Sequence, residues 1–375
     1  AAIHPNSSLV LLEKVFKINL MVLVSLMVVR TKREIIVFLW VLVLSLAFYG
    51  IKGGIFTIVS GGGSRVYGPS GTYIEENNAL AVALIMTVPM LRFLQTQLLP
   101  GWQRWLMTIA MVLCAASVLG SHSRGALLSI SAMLAVLWLR GRNKVATLIL
   151  IICAGAGAFS FMPDHWWQRM ETIQTYEQDA SAMGRIHSWQ MAYNVAMDRL
   201  TGAGFSMWRP DVYAIYKPDA ILNVTAHSIY FHMMGEHGFI GLLLYLMFWI
   251  STWWTAGWLR KQAKTDQRLD WCGQLGAMTQ VSLVGFAVGG AFLSLTYYDY
   301  PLNLMVVVVA ARAWVAGGRW KTEPEPEPAS VLRLWRFNIP LGDRLVGLVA
   351  TRPAMSAQSQ ATPRQAVASD VHLRR

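Results

Sequence analysis

The stretch Gly238-Phe239-Ile240-Gly241-Leu242-Leu243-Leu244-Tyr245-Leu246-Met247-Phe248-Trp249-Ile250-Ser251-Thr252-Trp253-Trp254-Thr255-Ala256-Gly257-Trp258-Leu259 decides the fold. It carries no charge, and a helix rising about 1.5 Å per residue over this length crosses the roughly 30 Å hydrocarbon core of a bilayer. Glu236-His237 precedes it and Arg260-Lys261 follows it, so charge begins where water would. Comparable runs occur at about 15–29, 35–51, 78–94, 102–119, 125–139, 145–161, 273–295 and 302–316. The nine runs predict an all-α polytopic membrane protein of about nine transmembrane helices.

Composition agrees. Apolar residues make up 55% of the 375 and charged residues 14%, and the mean hydropathy is +0.41, outside the range of soluble globular domains. A net charge of +12 in a soluble domain would suggest nucleic acid. Here most Lys and Arg sit in short connections between apolar runs, as the charge bias of cytoplasmic loops requires, so no nucleic-acid partner is expected. Cys114, Cys153 and Cys272 lie in or beside apolar runs and suggest neither a disulfide framework nor a thiolate site. The chain opens Ala1-Ala2-Ile3-His4 without the shape of a signal peptide, and further upstream spans are expected.

The connections alternate in character. Arg30 to Arg33, Arg92 to Arg104, Arg140 to Lys144, Arg260 to Arg268 and Arg319 to Lys321 are basic and predict a cytoplasmic side. Segments 52–77, 120–124, 162–237 and 296–301 then face the opposite, extracytoplasmic side, and the C-terminus is cytoplasmic. Two regions are expected: a membrane domain over 1–316 that includes the polar segment 162–237, and a spacer with tail over 317–375. The second begins with the stiff Glu323-Pro324-Glu325-Pro326-Glu327-Pro328, and residues 331–349 can lie on the inner leaflet or stay disordered.

Four patches on the predicted outer side bear chemistry. From Ala182, residues Ile186, Trp189, Tyr193, Ala196, Met197 and Leu200 follow helical spacing, which predicts an amphipathic helix on the membrane surface with Arg185 in its first turn. Free N–H groups there, with a guanidinium fork, suit the phosphates of a membrane lipid. Ser121-His122-Ser123-Arg124-Gly125 is so short a connection that Arg124 must lie at the membrane surface, either paired or snorkelling. Gly61-Gly62-Gly63-Ser64-Arg65-Val66-Tyr67 is a glycine-rich loop that can approach a phosphate or simply turn. His227 precedes Ser228 and a continuing apolar run; it either caps a helix or accepts a proton from a hydroxyl. A helix beginning near Ser228 would place His232 and Glu236 one turn apart, and Gly235, Gly238 and Gly241 would admit a close neighbouring helix. No His or acidic cluster has metal-ligand spacing, so no metal or cofactor is expected.

These residues resemble the O-antigen ligase superfamily, and within it the O-glycosylation ligases that accompany exosortase systems. The resemblance runs from about Arg33 to Arg312. It rests on Phe48-Tyr49-Gly50-Ile51-Lys52-Gly53-Gly54, Arg65-Val66-Tyr67-Gly68-Pro69, Asn77-Asn78-Ala79-Leu80, Ser123-Arg124-Gly125-Ala126-Leu127, Ser181-Ala182-Met183-Gly184-Arg185, Ala226-His227-Ser228-Ile229-Tyr230-Phe231 and Gly235-Glu236-His237-Gly238. It implies a metal-independent, inverting glycosyltransferase of the membrane-embedded GT-C-like type in the bacterial inner membrane, its site facing the periplasm. The implied donor is a glycan on undecaprenyl diphosphate, and the acceptor a hydroxyl on lipid A core, another glycan or a glycoprotein. His227 matches the base, Arg124 and Arg185 match arginines that hold the diphosphate, and Arg65, Tyr67, Tyr230, Glu236 and His237 are expected substrate contacts. A polymerase using the same donor and, less readily, a lipid-linked oligosaccharide transporter are the rival readings.

Overall fold

A computed structural model describes residues 2–141, 143–160, 162–164, 166–167 and 180–323. The described residues form helices and connections with no strand. The helices are α1 (Pro5–Val28), α2 (Lys32–Val59), α3 (Asn77–Thr96), α4 (Trp102–Gly120), α5 (Arg124–Arg140), α6 (Lys144–Ser160), α7 (Ala180–Asp198), α8 (Pro210–Tyr216), α9 (Ile229–Gln262), α10 (Asp270–Gly290) and α11 (Asp299–Ala316). Each predicted apolar run lies on one of them. Of these helices α2, α3, α4, α9 and α11, five in all, are long and apolar enough to cross a membrane. The remaining runs fall on α1, which carries Glu13, Lys14 and Lys17, on α5 and α6, with 17 residues each, and on α10. Part of segment 162–237, the tail from residue 324 on, and with it the 331–349 stretch, lie outside the described residues.

Helix starts follow local chemistry. Thr31 and Glu34 close a capping box on α2, and the Ser123 side chain accepts from Ala126 N–H to start α5. At the centre, α3 is buried along almost its whole length from Ala79 to Gln95. Serine hydroxyls stitch its neighbours together: Ser282 donates to the Met86 carbonyl at 2.7 Å and Ser129 to the Gly285 carbonyl at 2.7 Å. In an apolar interior a hydroxyl must find such an acceptor. Helices α2 and α4 meet where Gly54 lies directly against the Leu113 carbonyl, leaving no room for a side chain.

The connections sort to two ends as their charge pattern predicts. At one end Arg319 reaches the Arg30 carbonyl at 3.2 Å, Lys32 lies over Trp271 and Arg268 over Trp320. At the other, Val66 N–H bonds the Gly120 carbonyl at 3.1 Å, His122 Nε2 meets the Gly62 carbonyl at 2.9 Å and Asn77 donates to the Ser121 carbonyl at 2.6 Å. Thr225 and Ser294 meet there too, at 3.2 Å.

Packing adds to one expectation and changes another. Helix α7 buries Ser188, Met191, Ala192, Val195 and Ala196, while Tyr193 and Met197 of the predicted stripe are exposed, with Leu200 just past the helix end. Both faces of this helix are apolar, and tertiary packing against α8 and α9 takes the one with small residues. Helix α9 does begin at Ile229, but it breaks at Gly238, whose φ of 68° and ψ of −169° only glycine adopts readily. What lies close against Gly238 is the connection at Leu200 and Gly202, not another helix.

Candidate functional site

The break in α9 strips carbonyls of their helical partners, and the connection after α7 supplies substitutes. Ala203 N–H donates to the Gly235 carbonyl at 3.0 Å and Gly204 N–H to the Glu236 carbonyl at 2.9 Å. Gly202 and Gly204 take φ of 72° and 88° to bring those N–H groups in. Glu236, 1% exposed, completes the clasp. Its carboxylate accepts from Ser206 N–H at 2.8 Å and from the Tyr297 hydroxyl at 2.6 Å, and His232 Nε2 lies 3.3 Å away, one turn back as predicted. Burial and the neighbouring carboxylate push the Tyr297 phenol well above its ordinary range, so it remains a donor. His237 Nε2, 2.8 Å from that hydroxyl, must then donate to it, with Nδ1 the acceptor. From the other side Ile3 N–H bonds the Ala203 carbonyl at 2.7 Å and Ser8 the Phe205 carbonyl at 2.8 Å. His4 pairs with Asp211 at 2.8 Å.

The half of α9 before the break, Ile229 to His237, is thereby fixed, and His227 sits just ahead of it. The segment leading to His227 is held by Tyr213 donating to the Val224 carbonyl at 2.5 Å and Trp189 Nε1 to the Ala226 carbonyl at 2.7 Å. Trp189 also stacks on Phe231, centroids 4.9 Å apart. His227 has a φ of 43°, a left-handed conformation that a histidine keeps only where its surroundings impose it. Burial, and then the nearby Arg185 guanidinium, depress its pKa below the ordinary histidine value, against a smaller opposing effect of Glu76. At neutral pH the imidazole is uncharged and can accept a proton.

Arg185 and Arg124, distant in sequence, line one cleft of about 40 Å³ together with Asn78, Ser123 and Phe292. That volume holds little more than a water molecule, so a larger anion would sit at the mouth. Arg124 is the first residue of α5, where the positive end of the helix dipole adds to its charge. Arg185 stands differently from expectation: the helix begins at Ala180, so it lies in the second turn and the N–H groups beside it are already used within the helix. The good helix formers Ala182 and Met183 carry the start back past it.

The remaining predicted contacts are spread more widely. Arg65 and Tyr67 are exposed on either side of buried Val66, in the loop tied to residues 120–122 but not lining the arginine cleft. Tyr230 donates to the Ala287 carbonyl at 2.8 Å, which turns it toward α10. Glu236 and His237 belong to the clasp. Asn78 stands in one of the motifs behind the resemblance but was given no role there, and Tyr297 was missed; the run Tyr297-Tyr298-Asp299-Tyr300, polar and aromatic between two apolar helices, was the available signal for it. Among the described residues no group of three or more His, Cys, Asp and Glu side chains is placed to hold a metal ion.

Fold and site together define a multi-pass helical membrane protein with two arginines and a neutral histidine gathered at one end of its helices. Residues 109–246 match the O-Antigen ligase family, and residues 1–98 match a family of unknown function (DUF5935). No curated protein matches the chain. The match over residues 109–246, a little more than a third of the chain, supports the O-antigen ligase superfamily and, in general terms, an activity of the ligase or polymerase type with a lipid-linked glycan donor and a glycan acceptor. The matched region contains Arg124, Arg185, His227, Tyr230, Glu236 and His237; Arg65 and Tyr67 fall in the other.

Proposed function

We propose that the protein is a glycan ligase that moves a saccharide from undecaprenyl diphosphate to an acceptor hydroxyl at the periplasmic face of a bacterial inner membrane. The acceptor class is lipid A core, another glycan or a glycoprotein, as the resemblance implies. The observation that carries this reading is the convergence of Arg124 and Arg185 on one cleft with uncharged His227 within electrostatic reach of Arg185. In this reading all nine apolar runs span, in a GT-C-like arrangement, and the basic ends of the helices face the cytoplasm. The membrane domain ends with α11 at Ala316, and the residues from 317 on form a cytoplasmic spacer and tail.

The chemistry is an inverting displacement. His227 takes the proton of the acceptor hydroxyl as its oxygen bonds to the anomeric carbon from the face opposite the diphosphate. The bond from that carbon to the phosphate oxygen breaks, and its electron pair leaves with the lipid diphosphate. Arg124 and Arg185 stabilise the charge that gathers there, so no metal ion is invoked. Glu236 acts here as the anchor of the clasp, and His237 through Tyr297, while Arg65 and Tyr67 stand where a long saccharide would pass. The purified protein, supplied in liposomes with a glycan on undecaprenyl diphosphate and an acceptor, is expected to release the lipid diphosphate and inverted product. Replacing His227 by alanine is expected to lower the rate about 10²- to 10⁴-fold, and an undiminished rate would overturn the base assignment.

A further inference from the structure

Helix α9 runs from Gly238 to Arg260 before its charges resume, which at about 1.5 Å per residue places Arg260 roughly one bilayer away from the clasp. There the sequence turns to tryptophan and cation. Trp253, Gly257, Arg260, Lys261 and Lys264 recur at helical spacing and line one pocket of about 540 Å³. The pocket is organised. Buried Gln280 of α10 accepts from Arg260 Nη1 at 2.9 Å and donates to the Trp253 carbonyl at 3.0 Å, which aims the guanidinium. Arg140 of α5 lies over the Trp253 ring, 5.4 Å from its centroid, close enough to Arg260 for the two cations to repel. Among the described residues no carboxylate is within ion-pair distance of Arg140, Arg260, Lys261 or Lys264. A cluster of like charges gathered without a counter-ion favours an anion.

The shape says which kind. Trp253 and Trp254 also wall a second hollow of about 410 Å³, an apolar groove between Leu246 and Ile250 of α9 and Leu283 and Phe286 of α10. The two hollows therefore adjoin across Trp253 and Trp254, cations on one side and hydrocarbon on the other, with Trp254 71% exposed at their junction. Tryptophan at such a boundary sits at headgroup depth. A soluble anion would leave the groove empty and a neutral lipid would leave the cations without a partner. We infer that this surface is a binding site for an anionic phospholipid, its phosphate among Arg260, Lys261 and Lys264 and an acyl chain in the groove. The groove reaches Ile229 and Tyr230 at its far end, but its cations share no lining residue with the Arg124 and Arg185 cleft, and the site does not depend on the transfer reaction.

Native mass spectrometry of the full chain, titrated with phosphatidylglycerol or phosphatidylcholine, tests this. Phosphatidylglycerol is expected to bind about one per chain, well ahead of phosphatidylcholine. Lys261→Gln with Lys264→Gln, both exposed and outside the packed core, is expected to weaken it roughly 25-fold, the product of about fivefold for each cation. Trp254→Ala should weaken both lipids, since it lies on the apolar side of the junction. Equal binding of the two lipids, or unchanged phosphatidylglycerol binding in the double variant, would overturn the site. Inorganic diphosphate that displaced phosphatidylglycerol at equal concentration would overturn the lipid in favour of a free anion.

Discussion

The two halves of α9 are one helix in sequence and two in behaviour. From Ile229 to His237 it is wired by side chains: Glu236 to Ser206 and Tyr297, His237 to Tyr297, Tyr230 to α10. From Phe239 to Leu259 it is held mainly by apolar and aromatic packing, with Trp249 edge-on to Tyr245 and Phe286, and Leu243, Leu244 and Met247 face outward. The wired half leads directly from His227. Hydrogen bonds fix direction where packing fixes only proximity, so the polar network sits where the proposed base would have to be aimed and the greasy half where a helix need only cross.

That contrast can be broken from the wired side first. The largest effect is expected from Gly238→Ala, because a Cβ there would strike the Leu200 carbonyl and the residue has positive φ. A loss of at least about 3 kcal/mol in stability is expected, read by thermal unfolding in detergent, with little folded protein recovered. Glu236→Ala should cost about 2 to 3 kcal/mol, since it leaves the Ser206 N–H and Tyr297 hydroxyl without their buried acceptor. Glu236→Gln, which can still accept, should recover most of that stability.

The site should respond to charge in a definite direction. His227 is held below the ordinary histidine value partly by Arg185, so the acid limb of kcat/KM should lie below about pH 6.5. Removing the positive charge with Arg185→Gln makes the protonated imidazole easier to form and should move the limb of the residual activity to higher pH. A limb that stays put would mean that another group titrates. The smallest effect belongs to the greasy half: Leu243→Ala, at a position 59% exposed, should change stability by less than about 0.5 kcal/mol.

Much of this plan was legible in the residues. Length and charge placed the helices and sorted their ends, because those follow from burying apolar surface and keeping cations near water. Arg124 stood out because a cation in so short a connection at the membrane surface is costly, Arg185 because it opens an amphipathic stretch, and His227 because it precedes a continuing apolar run. What the residues did not reveal depends on long-range packing. Gly238 looked like one more small residue in an apolar run; its positive φ exists only because Leu200 and Gly202 press on it. Which face of α7 packs into the protein was not legible, because Tyr193 and Met197 are as apolar as Met191 and Val195, and only the neighbours choose between them. Arg185 was placed one turn too early because nothing in Ser181-Ala182-Met183 marks where that helix begins.

The central claim is that Arg124 and Arg185 serve one anion. A double-mutant cycle in kcat/KM with Arg124→Lys, Arg185→Lys and the pair tests it directly, since lysine keeps the charge and loses the fork. Each single variant is expected to fall about tenfold or more, and the pair to fall clearly less than the product of the two, because both act on the same group. Independent, multiplying losses, or single variants as active as the parent, would contradict a shared cleft.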